Sequence, residues 1–208
     1  MLPLILDLTG RRVVIFGGGP VGARKAQYFL GKCRVTVVSR SFADDIHGMD
    51  LERVELDIET ASDQHLRNLM EGAFLAIAAL GDPAMNSRIL RIARGAGILC
   101  NTASGDRGEV IIPSVEAGRS HLVAVTTFGR SPAMARFIRE RISRDAPLTD
   151  RMIDLQERAR EALRTVEPSQ ERRSAILGEI LHDRAAWEIL SRDPDSAWEY
   201  LRRRYLHG

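Results

Sequence analysis

Val13-Val14-Ile15-Phe16-Gly17-Gly18-Gly19-Pro20-Val21-Gly22 joins an apolar run to a cluster of glycines near the start of the chain. The apolar run that starts at Arg11 ends abruptly in glycines, the signature of a buried parallel strand entering a turn. From Pro20 the apolar positions recur at helical spacing as far as Gly31, which predicts a helix over 20–31. Strand, glycine turn and helix in that order give the G-x-G-x-x-G pattern its meaning. Gly17 permits the tight turn, Gly19 lets the backbone approach a pyrophosphate, and Gly22 allows the helix to pack closely on the strand. The helix N-terminus adds N–H groups and a dipole that favour an anion. Gly17, Gly19, Pro20, Val21 and Gly22 are therefore candidate binding residues for a nicotinamide dinucleotide.

Outward from this unit the chain alternates. Strands are predicted at Arg34–Val38 and Arg53–Asp57, then a helix over 63–70 and a fourth strand over Ala73–Ala79, broken by Gly81-Asp82-Pro83. A helix over 84–96 and a strand over 97–101 complete an α/β pattern, a Rossmann-type doubly wound parallel sheet. After Asn101 the pattern changes to a polar, glycine-rich loop, Thr102–Gly108. Two β-like runs follow at Val110–Val115 and His121–Thr127, then helices at 132–144, 150–166, 170–182 and 195–204. The expected organisation is a dinucleotide-binding Rossmann domain over 1–113, a small α+β region over 114–146 and a helical C-terminal domain over 147–208. Trp187, Trp198 and Tyr205 are expected to anchor that last domain by packing.

With 208 residues, 44% hydrophobic and 28% charged, the chain has the composition of a globular protein with room for two cores. No apolar run is long enough to span a membrane, and the N-terminus lacks a basic leader, so a cytoplasmic location is expected. The net charge of +2, with acids and bases nearly balanced after Met134, argues against nucleic acid as a partner. Cys33 and Cys100 read as reduced structural thiols, and the scattered histidines (His47, His65, His121, His182 and His207) build no metal site. At the end of the second strand, where an acid commonly bonds a ribose hydroxyl, the sequence has Ser39-Arg40 and no carboxylate until Asp44. That leans toward a 2′-phosphate and NADP.

The segments LPLILDLTGRRVVIFGGGPVGARKA, LAIAALGDPAMN, CNTASGD and VIIPSVEAGRSHLVAVTTFGRSPAMARFIRERI occur in the order seen in the siroheme-synthase N-terminal family, which the chain resembles from its start to about residue 145. That family comprises precorrin-2 dehydrogenases, some of which also insert iron into sirohydrochlorin. The resemblance implies NAD rather than NADP, since members often lack the ribose acid too. It also implies that Arg24 and Lys25 follow the phosphate loop, that Ala78, Ala79 and Asn86 face the cofactor, and that Asn101 lies beside the nicotinamide. Thr127-Phe128-Gly129-Arg130-Ser131-Pro132 corresponds to an element near the substrate groove, and 114–146 becomes a dimerisation region of a homodimer.

The chain departs from the family's pattern at one place. Relatives with both activities carry an Asp four residues after the cysteine position, where this chain has Ser104. Asp106, two residues on, and Ser104 are the candidate bases for removing a proton while hydride passes to the cofactor. The tetrapyrrole substrate bears many carboxylates, so Arg107, Arg119, Arg130, Arg136 and Arg139 are candidate clamps. Three alternatives stay open at this stage: a bifunctional dehydrogenase and ferrochelatase, a non-catalytic NAD(H) sensor, and a tetrapyrrole delivery protein.

Overall fold

A computed structural model describes residues 1–206; His207 and Gly208, the end of the expected 147–208 domain, lie outside the described residues. The chain divides into two compact units, Met1–Ile112 and Pro113 onward. In the first unit, β1 (Arg12–Phe16), α1 (Pro20–Phe29), β2 (Arg34–Ser39), α2 (Asp44–His47), β3 (Glu52–Glu55), α3 (Asp63–Met70), β4 (Leu75–Ala78), α4 (Pro83–Gly95) and β5 (Leu99–Thr102) follow one another. The strands form one parallel sheet in the order β3-β2-β1-β4-β5.

Alternation along β1 explains both cores. Val13 and Ile15 pack with Val35, Val37 and Ile77 against Ala23, Ala26 and Phe29 of α1 and Ile46 of α2. Val14 and Phe16 point the other way, with Val38, Ala76, Ala78 and Cys100, against Leu66 and Met70 of α3 and Ile89, Leu90 and Ala93 of α4. With both faces covered, the strands are apolar at successive positions rather than at every second one.

The second unit holds an antiparallel pair, β6 (Ser114–Ala117) and β7 (Leu122–Val125), then α5 (Pro132–Ser143), α6 (Ala146–Val166), α7 (Gln170–His182), α8 (Arg184–Arg192) and α9 (Pro194–Tyr205). Its core is built by α6–α9 around Met152, Leu155, Ala159, Ile180, Leu190 and Leu201, with Trp187, Trp198 and Tyr205 packed on it as expected.

The structure corrects several boundaries. The strand expected at Val110–Val115 is instead Ser114–Ala117. Val110 lies beside β5, its N–H bonded to the Cys100 carbonyl at 3.0 Å, and Ile112 packs with it on the first core. The third strand sits at Glu52–Glu55 rather than 53–57. α6 begins at Ala146, where Pro147 falls in the first turn and its missing N–H costs nothing, rather than at 150. Two helices, α2 and α8, were not expected from the sequence.

Candidate functional site

The strand order reverses at β1 and β4, and the glycine loop sits at the C-terminal ends of these two strands. Such a switch point opens the crevice in which ligands of open α/β sheets bind. Gly17 has φ +117, and a Cβ there would lie 2.5 Å from the Ala79 carbonyl oxygen, so only glycine lets the two strand ends approach this closely. A Cβ on Gly22 would overlap the Gly17 carbonyl, which fixes α1 tightly against the loop. At Gly19 a Cβ would meet nothing within 4 Å. The space is open there, and no side chain caps the first turn of α1, leaving its N–H groups for a ligand. Lys25, in the following turn, has its pKa lowered first by burial and then by neighbouring Arg24.

The opposite wall comes from the ends of β4 and β5. Ala78 and Ala79 are buried, and Asn86 of α4 is fully so. The Asn86 side chain accepts from the Leu80 N–H at 2.9 Å and donates to the Leu80 carbonyl at 3.0 Å and to Ser104 Oγ at 2.9 Å. Those bonds use both its amide hydrogens. Asn86 therefore ties the loop after β4 to the loop after β5, and shapes the crevice wall instead of reaching into it. Asn101 donates through Nδ2 to the Val110 carbonyl at 2.8 Å, while its Oδ1 is buried with no partner among the described residues. An orphaned buried acceptor at this depth is costly unless something donates to it. Together with the open cradle at Gly19, this unsatisfied polar atom near the end of β5 fits a site for a nicotinamide dinucleotide.

Ser104, Gly105, Asp106 and Arg107 are exposed on the next loop. That loop is nevertheless held: the Asp106 N–H bonds Ser87 Oγ at 3.2 Å, its carbonyl accepts from Thr102 Oγ1 at 2.7 Å, and the Arg107 carbonyl accepts from Arg94. Gly105, at φ +80, lies against the Pro83 carbonyl. The Asp106 carboxylate takes no hydrogen bond or ion pair among the described residues. Neighbouring Cys100 is pushed up to about 12, chiefly by burial and then by Glu109, so it remains a protonated thiol. At the end of β2, Ser39 is half-buried and Arg40 exposed.

In the second unit the Thr127–Pro132 turn is internally bonded. Thr127 Oγ1 donates to the Ser131 carbonyl at 2.8 Å and accepts from the Ser131 N–H at 3.0 Å, and Ser131 Oγ caps Met134 at the start of α5. Gly129 has φ +81 and, unexpectedly, Phe128 has φ +55 while standing 57% exposed. The sequence reading passed over Phe128, since nothing in residue type announces a positive φ. Arg130 and Arg136 are exposed and make no ion pair among the described residues. Arg139 bridges Glu116 and Glu140 at 3.0 and 3.2 Å, and Arg119 pairs with Asp154, so these two arginines fasten elements of their own unit. The structure thus leaves Arg130 and Arg136 as the more available clamps in this unit.

The glycine cradle, the crevice at the sheet's switch point and the orphaned Asn101 oxygen define a dinucleotide-binding α/β protein with an appended helical unit. A family profile described as NAD(P)-binding matches residues 4–114, more than half of the chain. The chain is 38% identical over 203 residues to a precorrin-2 dehydrogenase of Methanosarcina barkeri, covering 95% of this chain and 90% of that one. It is 32% identical to a siroheme synthase of Azotobacter vinelandii, covering 91% of this chain but 41% of that longer protein. Among solved structures, "SirC, precorrin-2 dehydrogenase" has the same fold, with TM-score 0.72 at 24% identity over 98% of this chain and 100% of that one. The chain belongs to the family of precorrin-2 dehydrogenases and siroheme-synthase N-terminal domains.

Proposed function

We propose that the protein is an NAD-dependent dehydrogenase that converts precorrin-2 to sirohydrochlorin. The observation that carries this reading is the dinucleotide crevice with its buried, unpartnered Asn101 oxygen, in a chain that aligns with almost the whole length of a precorrin-2 dehydrogenase. Gly17, Gly19, Pro20, Val21 and Gly22 would hold the pyrophosphate, Ser39 and Arg40 face the adenosine end, and Ala78, Ala79 and Asn101 the nicotinamide end, with Asn86 setting the wall. When bound, the cofactor supplies the hydride acceptor. The overall reaction balances as precorrin-2 plus NAD⁺ giving sirohydrochlorin, NADH and one proton.

The protein's contribution is orientation of the macrocycle and removal of that proton. Asp106 takes the base role, since its carboxylate is exposed and has no partner among the described residues, while its backbone is bonded on both sides and fixes where it projects. The Ser104 hydroxyl oxygen accepts from Asn86, which leaves Ser104 to donate rather than to remove a proton. Arg107 and Arg130, with the Thr127–Pro132 turn, serve the carboxylate-bearing substrate, for which a planar guanidinium is suited. Residues 114–146 form the dimerisation region of a homodimer. β6, β7 and α5 expose Leu122, Met134, Phe137 and Ile142 and bury little of their own, and a two-stranded sheet with one helix is marginal without a cover.

Anaerobic incubation with precorrin-2 and NAD tests the reading. Sirohydrochlorin accumulates with wild-type protein and forms more slowly with Asp106→Ala, whose NADH affinity is unchanged. Absence of sirohydrochlorin despite dinucleotide binding would overturn the proposed reaction in favour of a sensing role.

A further inference from the structure

The C-terminal ends of β2 and β3 carry a charge pair that the glycine cradle does not use. β2 ends at Ser39 with no acid, and Arg40 follows with its side chain 75% exposed. The carboxylate that faces Arg40 comes from the turn that follows the neighbouring strand. Ser39 is in register with Glu55, and the Leu56 N–H donates to the Ser39 carbonyl at 3.0 Å, so Asp57 emerges directly beside Arg40, with Oδ2 3.9 Å from Nη1. On the other side this segment touches the phosphate loop. A Cβ on Gly18 would come within 2.9 Å of Ser39 Cβ and overlap the Ser41 carbonyl, and the Ala43 N–H donates to the Gly18 carbonyl at 2.7 Å. Phosphate loop, Ser39–Ser41, Arg40 and Asp57 are therefore contiguous at the end of the crevice where an adenosine ribose belongs.

Asp57 is also fixed in place. Its Oδ1 accepts from the Glu59 N–H at 3.0 Å, and its carbonyl accepts from the Ala61 N–H and the Thr60 hydroxyl. Arg88 of α4 donates to the carbonyls of Ile58, Glu59 and Ala61 and pairs with Asp63, clamping the whole turn. Asp57 Oδ2 has no hydrogen bond among the described residues, because 3.9 Å to Arg40 is an ion-pair distance and not a bond.

We propose that Asp57, in the turn that follows β3, supplies the ribose-reading carboxylate that β2 lacks, and that the Arg40–Asp57 pair sets the preference for NAD over NADP. This rests on the dinucleotide reading above. A 2′-hydroxyl donates to Oδ2, whereas a 2′-phosphate meets a like charge that also offsets the attraction of Arg40. The Ser39-Arg40 sequence alone points to NADP because Asp57 lies seventeen residues further along the chain and joins Arg40 only through strand pairing.

Fluorescence titration of the full-length protein with NADH and, separately, NADPH tests the pair. Wild type favours NADH. Asp57→Asn weakens NADH and strengthens NADPH, moving the ratio of the two dissociation constants toward NADPH by about tenfold or more. Arg40→Ala weakens NADPH more than NADH, moving the ratio of the two dissociation constants away from NADPH; being on an exposed side chain, it carries the test alone if Asp57→Asn melts early. A ratio unchanged in both variants, or a wild type that prefers NADPH, overturns the role of the pair. Wild-type protein that binds neither dinucleotide overturns the cofactor reading itself, and that is seen before any variant is made.

Discussion

A methyl group does different things at Gly19 and Gly22. At Gly19 it projects into open space, so Gly19→Ala folds with an unchanged melting temperature but fills the cradle and lowers NADH affinity by about tenfold or more. At Gly22 it strikes the Gly17 carbonyl, so Gly22→Ala loses stability and binding together. Paired melting and NADH titrations distinguish the two; equal melting losses would contradict the cradle assigned to Gly19. Phe128 gives a prediction of the opposite sign, since its φ of +55 suits glycine. Phe128→Gly should raise stability to thermal unfolding by about 1 kcal/mol. At this scale the glycines were legible because their roles follow from local backbone geometry. The structural role of Asn86 was not legible, because its bonds to Leu80 and Ser104 join loops twenty-four residues apart along the chain. Phe128 carried no signal at all.

Two aspartates hold elements together in the second unit. Asp150 of α6 accepts from the Ser120 and Arg119 N–H groups and from His121 Nδ1, fastening the β6–β7 hairpin to the helix. These bonds, the Ser120 amide first, lower its pKa from 3.8 to about 2. Because the folded value lies below the unfolded one, the stabilisation is present above about pH 4 and is lost as pH falls through about 2. Melting curves of wild type and Asp150→Asn should therefore differ clearly at neutral pH and converge across that window. Asp183 caps α8 through Ala185 and Ala186 and accepts hydrogen bonds from the Tyr200 and Tyr205 hydroxyls, each at 2.9 Å. Asp183→Ala should cost about 2 to 4 kcal/mol in denaturant unfolding, from a lost cap and two part-buried bonds. The long periodic elements were legible in the sequence, whereas α2, a single turn, and α8 were not. For α8 a signal existed: Asp183 and Asp193 stand at successive N-caps. The strand misplaced to 110–115 has a different cause, since Val110 and Ile112 are apolar to cover the first core and not to pair in the hairpin.

At the level of the whole molecule, the chain divides into Met1–Ile112 and Pro113 onward, and the proposed assembly rests on surface that only the structure exposes. Met134 and Phe137 are about half exposed on α5. If this face covers a second copy, Phe137→Glu should shift the protein from dimer to monomer in sedimentation with the dinucleotide unit still able to bind NADH; an unchanged mass would contradict the assigned interface. The central claim is that the crevice passes hydride from precorrin-2 to NAD. Its most direct test is the electron balance of one anaerobic reaction, NADH formed against sirohydrochlorin formed, in wild type and in Gly19→Asp. Wild type should form one NADH per sirohydrochlorin and the variant neither product above background, while sirohydrochlorin without matching NADH, or equal yields from both proteins, would refute hydride transfer at this site.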